Sequence, residues 1–229
     1  MNPAATTKVQ VLCTNGLKSV FAALDHALPA KAGAPVVTSF GSTKAFTDRI
    51  AAGDVPDVAL LSDTAIDTLI GLGKLAGKRI DVAKSYIGVA VRKGTKHPDI
   101  STPDAFIRML QTAPSISRSR QGMSGLHMVE LLERLGLTEK LAPKIKVYDG
   151  YAAQACADGE VEIAIQQISE LMPVAGLEIV GPLPAELQKV TMFSAGLGNG
   201  TGVRAQGEAL IAFVRSQADV LRANGLEPI

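Results

Sequence analysis

The sequence predicts an α/β protein with mainly parallel sheets flanked by helices. Three observations carry that prediction. Short apolar runs alternate with segments of helical period, the turns joining them are polar and rich in Gly and Ser, and three strand-then-helix units follow one another before residue 75.

The first unit opens with Lys8 to Thr14, an apolar strand that runs into Asn15-Gly16 and a helix from Leu17 to Leu28. Leu17, Val20, Phe21, Leu24 and Leu28 share one face of that helix. Pro29 to Ala34 is a breaker cluster, after which PVVTSF forms a second strand. That strand delivers Gly41, Ser42 and Thr43 to the start of a third element, Lys44 to Ala52. Asp57 to Leu61 is a wholly apolar strand of the kind buried on both faces of a parallel sheet, and Ser62-Asp63 caps a helix through Leu72. Ser85 to Val91 is a further strand, and Thr102-Pro103 forms an N-cap and N1 pair opening a helix to Leu110.

The central stretch, Ser115 to Leu137, reads as a strand, a polar loop and an amphipathic helix. Leu126, Val129, Leu131, Leu132 and Leu135 set its apolar face, Ser124 is the expected N-cap and Gly136 the stop. A helix start exposes unsatisfied N–H groups at the positive end of the peptide dipoles, so Ser, Gly and Arg before it favour an anion. Arg118 and Arg120 sharpen this, because two planar forks suit a multiply charged ligand and alternate strand residues share a face. The bland alternative is a solvated basic loop with Ser124 capping and nothing bound. Beyond it follow a strand from Ile145 to Tyr148, a helix from Tyr151 to Ala157, strands Glu162 to Gln166, Leu177 to Val180 and Lys189 to Ala195, and a helical end from Gly202 to about Ala223.

Composition narrows the function classes. With 229 residues, 47% of them apolar, the chain can bury a sizeable core as one large domain or two small lobes. A net charge of +1 gives no global field for nucleic acid or an anionic membrane, so any anion selectivity is local. Aromatic content of 4% without Trp excludes stacking-based binding of single strands. No apolar run approaches a membrane span and the first residues lack a secretory pattern, so the expectation is a cytoplasmic chain as written, or a periplasmic one if a signal has been removed. Cys13 and Cys156 lack metal or redox spacing and read as unpaired buried thiols. If strands near 80–90 and 180–195 cross between two lobes, Asn15, Ser42, Ser124 and Tyr151 surround one cleft, because ligands in open α/β sheets sit beyond the strands' carboxyl ends.

These pieces resemble the type II periplasmic binding proteins, within them the group around molybdate-binding proteins and the family 11 extracellular solute-binding proteins. The carrying segments are SFGSTKAFTDRIAAGDVPDVALLS, GMSGLHMVELLERLGL and DGEVEIAIQQISELMPVAGLEIVGPLPAELQ, and the resemblance covers nearly the whole chain. It implies two α/β lobes joined by a hinge, residues 1–83 with 187–229 and residues 84–186, closing on an anion. It implies Thr14 and Asn15, Ser42 and Thr43, and Ser124 and Gly125 as ligand-binding positions, with Tyr151 and Gln166 ending or following cleft-facing strands. Neutral donors hold the oxyanion in molybdate sites, so Arg118 and Arg120 turn the expectation toward a di- or tricarboxylate.

Chains similar to this one also include an isomerase that shifts a double bond in aconitate. Two expectations follow: a solute-binding protein for a small organic anion, or a cofactor-independent isomerase of an unsaturated polycarboxylate. In the second, Lys18, Lys44 or His127 is the candidate base, although solvated lysines and a packed histidine are the plainer readings. Neither expectation needs a metal, a cofactor or nucleic acid. An ABC-transporter permease is a partner only if the chain is exported.

Overall fold

The computed structural model describes residues 7–150 and 152–229. They divide into two compact units, one ending at Lys84 and resuming over Met192–Ile229, the other spanning Ser85–Thr191. The sequence places the two crossings after residues 83 and 186, whereas the packed units divide after Lys84 and Thr191.

In chain order the first unit contains β1 (Val9–Thr14), a 3₁₀ turn (Asn15–Leu17), α1 (Lys18–Leu24), α2 (Leu28–Ala32), β2 (Val36–Gly41), α3 (Thr43–Ala51), β3 (Val58–Ser62), α4 (Asp63–Gly71) and β4 (Leu75–Ser85), whose last residue begins the second unit. The second unit holds β5 (Ile87–Arg92), α5 (Pro103–Thr112), β6 (Ile116–Ser119), α6 (Met123–Arg134), α7 (Thr138–Leu141), β7 (Ile145–Tyr148), α8 (Ala152–Ala157), β8 (Ile163–Gln167), α9 (Ile168–Leu171) and β9 (Leu177–Pro182). The chain returns through β10 (Thr191–Gly198), α10 (Arg204–Ser216), α11 (Ala218–Ala223) and β11 (Leu226–Pro228).

The first unit's sheet has the order β11-β4-β10-β3-β1-β2. Strand β1 is parallel to β2 and β3, and β10 runs antiparallel to β3. Alternation along β1 and β3 fills both faces: Val11, Cys13, Val58 and Leu60 join one core with α1 and α10, while Leu12, Ala59 and Leu61 join another with α3 and α4. Helices α3, α4 and α5 each start on a hydroxyl N-cap, Ser42, Ser62 and Thr102, that accepts an N–H three residues on. Each such cap contributes about 1 kcal/mol.

The second unit's sheet, β7-β6-β8-β5-β9, is parallel over β7, β6 and β8, with β5 antiparallel to both β8 and β9. Ile163 and Ile165 face the core under α5 and α6, whereas Ala164 faces the core under α8. Gln167, the last residue of β8, is buried and bridges the unit's two ends. Its Oε1 accepts from Ser85 Oγ at 2.7 Å and its Nε2 donates to Thr191 Oγ1 at 3.0 Å.

Several sequence readings are corrected. The Leu17–Leu28 helix ends at Leu24, and a second short helix, α2, takes Pro29 into its first turn, where a missing N–H leaves no gap. Strand β4 escapes the sequence pattern because Lys78, Arg79, Asp81 and Lys84 interrupt its apolar residues; Arg79 is paired with Asp67 and Asp81. The helical end is two helices and a closing strand.

Candidate functional site

In the first unit the parallel register of β1 and β2 sets Thr14 beside Gly41, so both strands end at one level. The residues immediately beyond are therefore neighbours. Thr14 and Thr43 are buried, with the Thr43 hydroxyl donating to Thr14 Oγ1 at 3.4 Å. Ser42 caps α3, its Oγ accepting from the Ala45 N–H at 3.2 Å. Asn15 opens the 3₁₀ turn, and that turn is pressed onto a core ring: a Cβ on Gly16 would stand 2.4 Å from Phe193 Cζ. The structure thus brings Thr14, Asn15, Ser42 and Thr43 together at the carboxyl ends of two parallel strands, the usual ligand edge of such a sheet.

The two candidate lysines stand differently. Lys44 is exposed and spends its charge on Asp48, one turn along α3, at 2.7 Å. Lys18 is exposed too, on the wall of a groove of about 210 Å³ shared with Phe21, Leu28 and Phe40. Neither lysine is buried.

In the second unit, the strand-to-helix passage from β6 to α6 is tighter than the sequence indicates. Gly122, extended at φ −70° and ψ 150°, is the N-cap, and Ser124 lies one step inside the helix. This corrects the reading of Ser124 as the cap: the chain enters the helix earlier, because only glycine fits against the strand end. A Cβ on Gly122 would meet Ser119 Oγ at 2.4 Å, and one on Gly125 would meet the Ser119 carbonyl oxygen at 1.9 Å. Two hydroxyls, Ser119 Oγ and Ser124 Oγ, are buried here with no hydrogen-bond partner among the described residues. Orphaned buried hydroxyls are uncommon, since each forfeits the solvation it had in water.

Arg120 stands just beyond β6. Its N–H donates to Tyr148 O at 2.9 Å and its Nε to Asp149 Oδ1 at 2.9 Å. The guanidinium is more than half exposed, and its terminal nitrogens have no partner among the described residues. Arg118 goes elsewhere: it points to the face of the sheet covered by α6 and α7, with Nη1 donating to Ser119 O at 3.1 Å. Tyr151 lies outside the described residues.

The register of β6 and β8, Ile116 beside Ile163, carried along the strands puts Ser119 level with Gln166. Gln166 is buried; its Nε2 donates to Glu170 Oε2 at 2.9 Å, while its Oε1 and the nearby Ser169 Oγ lack partners among the described residues. Burial pushes the Glu170 carboxyl up to about 7, against the lowering effect of the Gln166 amide. Ser119, Ser169 and Glu170 are polar residues that the sequence reading misses. Their signal is the run Gln166-Gln167-Ile168-Ser169-Glu170, an unusual density of polar groups directly after a buried strand.

His127 is buried, with Nε2 2.8 Å from Leu187 O. A carbonyl only accepts, so Nε2 carries the proton and the buried, unpartnered Nδ1 is the basic nitrogen. Among the described residues no group of His, Cys, Asp and Glu could hold a metal ion. Cys13 and Cys156 are free and buried, and burial pushes both thiols up, Cys156 to about 11, so neither is a reactive thiolate.

The family model of the bacterial extracellular solute-binding proteins matches residues 9–227. The chain belongs to that family. This solute-binding protein is 31% identical over 233 residues to an aconitate isomerase of Pseudomonas sp., covering 97% of this chain and 88% of the relative. Among solved structures it resembles the periplasmic molybdate-binding protein of Azotobacter vinelandii, with a TM-score of 0.78 at 20% identity, covering 95% of this chain and 98% of that one. The sulfate-binding protein of Mycobacterium tuberculosis H37Rv gives a TM-score of 0.74 at 16% identity, covering 97% and 87%. These likenesses establish the two-lobed α/β fold of periplasmic binding proteins. The solute-binding protein has, among its described residues, no helix long and apolar enough to cross a membrane.

Proposed function

We propose that this solute-binding protein binds a small organic anion with two or more carboxylates, using donors at its helix starts. The observation that carries the reading is the pair of buried hydroxyls, Ser119 and Ser124, without partners among the described residues at the start of the 12-residue α6, with the exposed guanidinium of Arg120 next along the chain from Ser119. The hydroxyls and the helix-start N–H groups are donors for oxygen. Arg120 adds the planar fork that a carboxylate fills with two parallel hydrogen bonds. Thr14, Asn15, Ser42, Thr43, Gly125, Gln166 and Tyr151 complete the proposed set. In an exported form, the partner is an ABC-type permease.

The test is a thermal-shift screen against citrate, trans-aconitate, malate, sulfate and molybdate. A ligand at ~100 times its dissociation constant adds about 2.7 kcal/mol of stability. Tri- and dicarboxylates are expected to stabilise the protein, and Arg120→Leu or Ser124→Ala to reduce the effect at least tenfold in ligand concentration. Stabilisation by molybdate or sulfate alone overturns the carboxylate reading.

A second reading is supported by the 31% identity to an aconitate isomerase. An allylic proton shift removes a proton from the carbon next to a C=C bond, spreads the charge into an adjacent carboxylate, and returns a proton to the far carbon. Arg120 suits the developing charge. For the base, Glu170, its carboxyl pushed up to about 7 by burial, suits proton transfer near neutral pH, whereas Lys18 and Lys44 are exposed and Lys44 is paired with Asp48. His127 is the remaining candidate, through Nδ1. Proton NMR of trans-aconitate with the protein in deuterium oxide separates the readings: isomerisation or deuterium uptake establishes the enzyme, and neither at saturating ligand leaves binding alone.

A further inference from the structure

Arg118 is a half-buried cation that meets no carboxylate among the described residues. Among the described residues its guanidinium's hydrogen bond runs to the carbonyl of the next residue. Desolvation, and secondarily the charge of Arg120, lowers its pKa below the ordinary arginine value, yet an arginine remains charged at any physiological pH. A fixed cation removed from water without a counter-charge is costly, and it gains most from an anion brought to it.

Apart from Thr138, the surroundings of Arg118 in the groove are apolar. Strand β7 is the edge of its sheet, and Arg118 pairs in register with Val147, so the two share a face. Ile145 lies on that same face, while Lys146 and Tyr148 turn to the other and reach Glu160. Val129 and Leu132 of α6 and Ala142 after α7 close the opposite side, leaving a groove of about 250 Å³. Val129 is 41% exposed, a large apolar side chain left at the groove's lip.

We propose that this groove between α6, α7 and β7 is a second binding site, for a monocarboxylate with a short apolar tail. The carboxylate takes the Arg118 fork, and the tail lies on Val129, Leu132, Ile145 and Val147. Charge complementarity selects the head group, because Arg118 is the one charged residue lining the groove and Thr138 adds a single hydroxyl beside it. Its volume limits the tail to a small ring or a few carbons. The polycarboxylate proposed above does not fit this chemistry, since its further charges would be buried against apolar walls. The two sites stand or fall separately.

The experiment is a ¹⁹F NMR titration of 4-fluorobenzoate with the full chain. Saturable line broadening in the micromolar to low millimolar range is expected. Arg118→Leu, which keeps the groove apolar, should weaken binding at least tenfold. Ala142→Phe fills the groove from an exposed position, so folding is unaffected and binding is lost. Ser124→Ala and Arg120→Leu should leave the titration unchanged, although they weaken any polycarboxylate response at least tenfold. Absence of saturable binding up to 10 mM, on the order of the weakest affinities worth a site, overturns the proposal. Equal binding by Arg118→Leu, or by Ala142→Phe, does so too.

Discussion

Gly125→Ala is expected to lower the unfolding free energy of the second unit by about 3 kcal/mol, the upper range for overpacking a tight contact. The added methyl would stand 1.9 Å from the Ser119 carbonyl oxygen, a backbone atom at the end of β6 that has no rotamer to change. Either the strand end or the first turn of α6 must move, and both carry proposed ligand donors. The neighbouring Gly122→Ala is a graded control. Its methyl meets the Ser119 hydroxyl at 2.4 Å and next the Ser119 Cβ at 3.3 Å, so removing that hydroxyl with Ser119→Ala should restore most of the loss. The same second substitution should not rescue Gly125→Ala, because the carbonyl remains. Urea unfolding of the four variants reads both results, and a Gly125→Ala protein of full stability would mean the strand end and helix start are not in the described contact.

Glu170→Gln is expected to make the protein more stable by an amount that grows with pH. The folded carboxyl titrates at about 7 against an ordinary value near 4.5, so between these the folded chain holds a proton that the unfolded chain has released. Stability contributed by the protonated group is therefore complete below the unfolded pKa and is lost as pH rises through the folded one. The loss reaches roughly 3 kcal/mol by pH 8, taking about 1.4 kcal/mol for each tenfold difference in proton affinity between the folded and unfolded chains as the upper limit. Glutamine keeps an acceptor for Gln166 Nε2 and carries no charge, so it removes the pH-dependent part alone. Denaturation midpoints at pH 4, 5, 6, 7 and 8 should nearly coincide for the two proteins at the acid end and diverge from there to about pH 8. Parallel midpoints across the series would place the Glu170 carboxyl in water.

Much of this fold can be read from residues in order. Val58–Leu61 is apolar throughout and buried on both faces, so pattern and burial agree there, whereas α6 buries Leu131 and Leu132 of its apolar stripe and leaves Leu126 and Val129 exposed. The same reading fails at β4, where the charges that mask the strand are satisfied by partners distant in sequence, Arg79 by Asp67 and Asp81 by the Ser194 hydroxyl. The site divides in the same way. The serines and glycine at helix starts announce themselves by position. Which way Arg118 turns does not, because alternation assigns a face without saying what covers it. Glu170 is invisible for a related reason: its acidity depends on burial by tertiary neighbours, and nothing in the letters around it states that burial.

The bridge made by Gln167 has a consequence for how such a chain can be taken apart. Ser85 and Thr191, first and last residues of the second unit, each lie one hydrogen bond from the same side chain. A segment whose ends already meet can be cut out and expressed alone with its own core, or rejoined end to end and opened at another loop. The second unit is in this sense a cassette lodged in the sequence of the first, and the two could be exchanged, shuffled or replaced among relatives without retying either core.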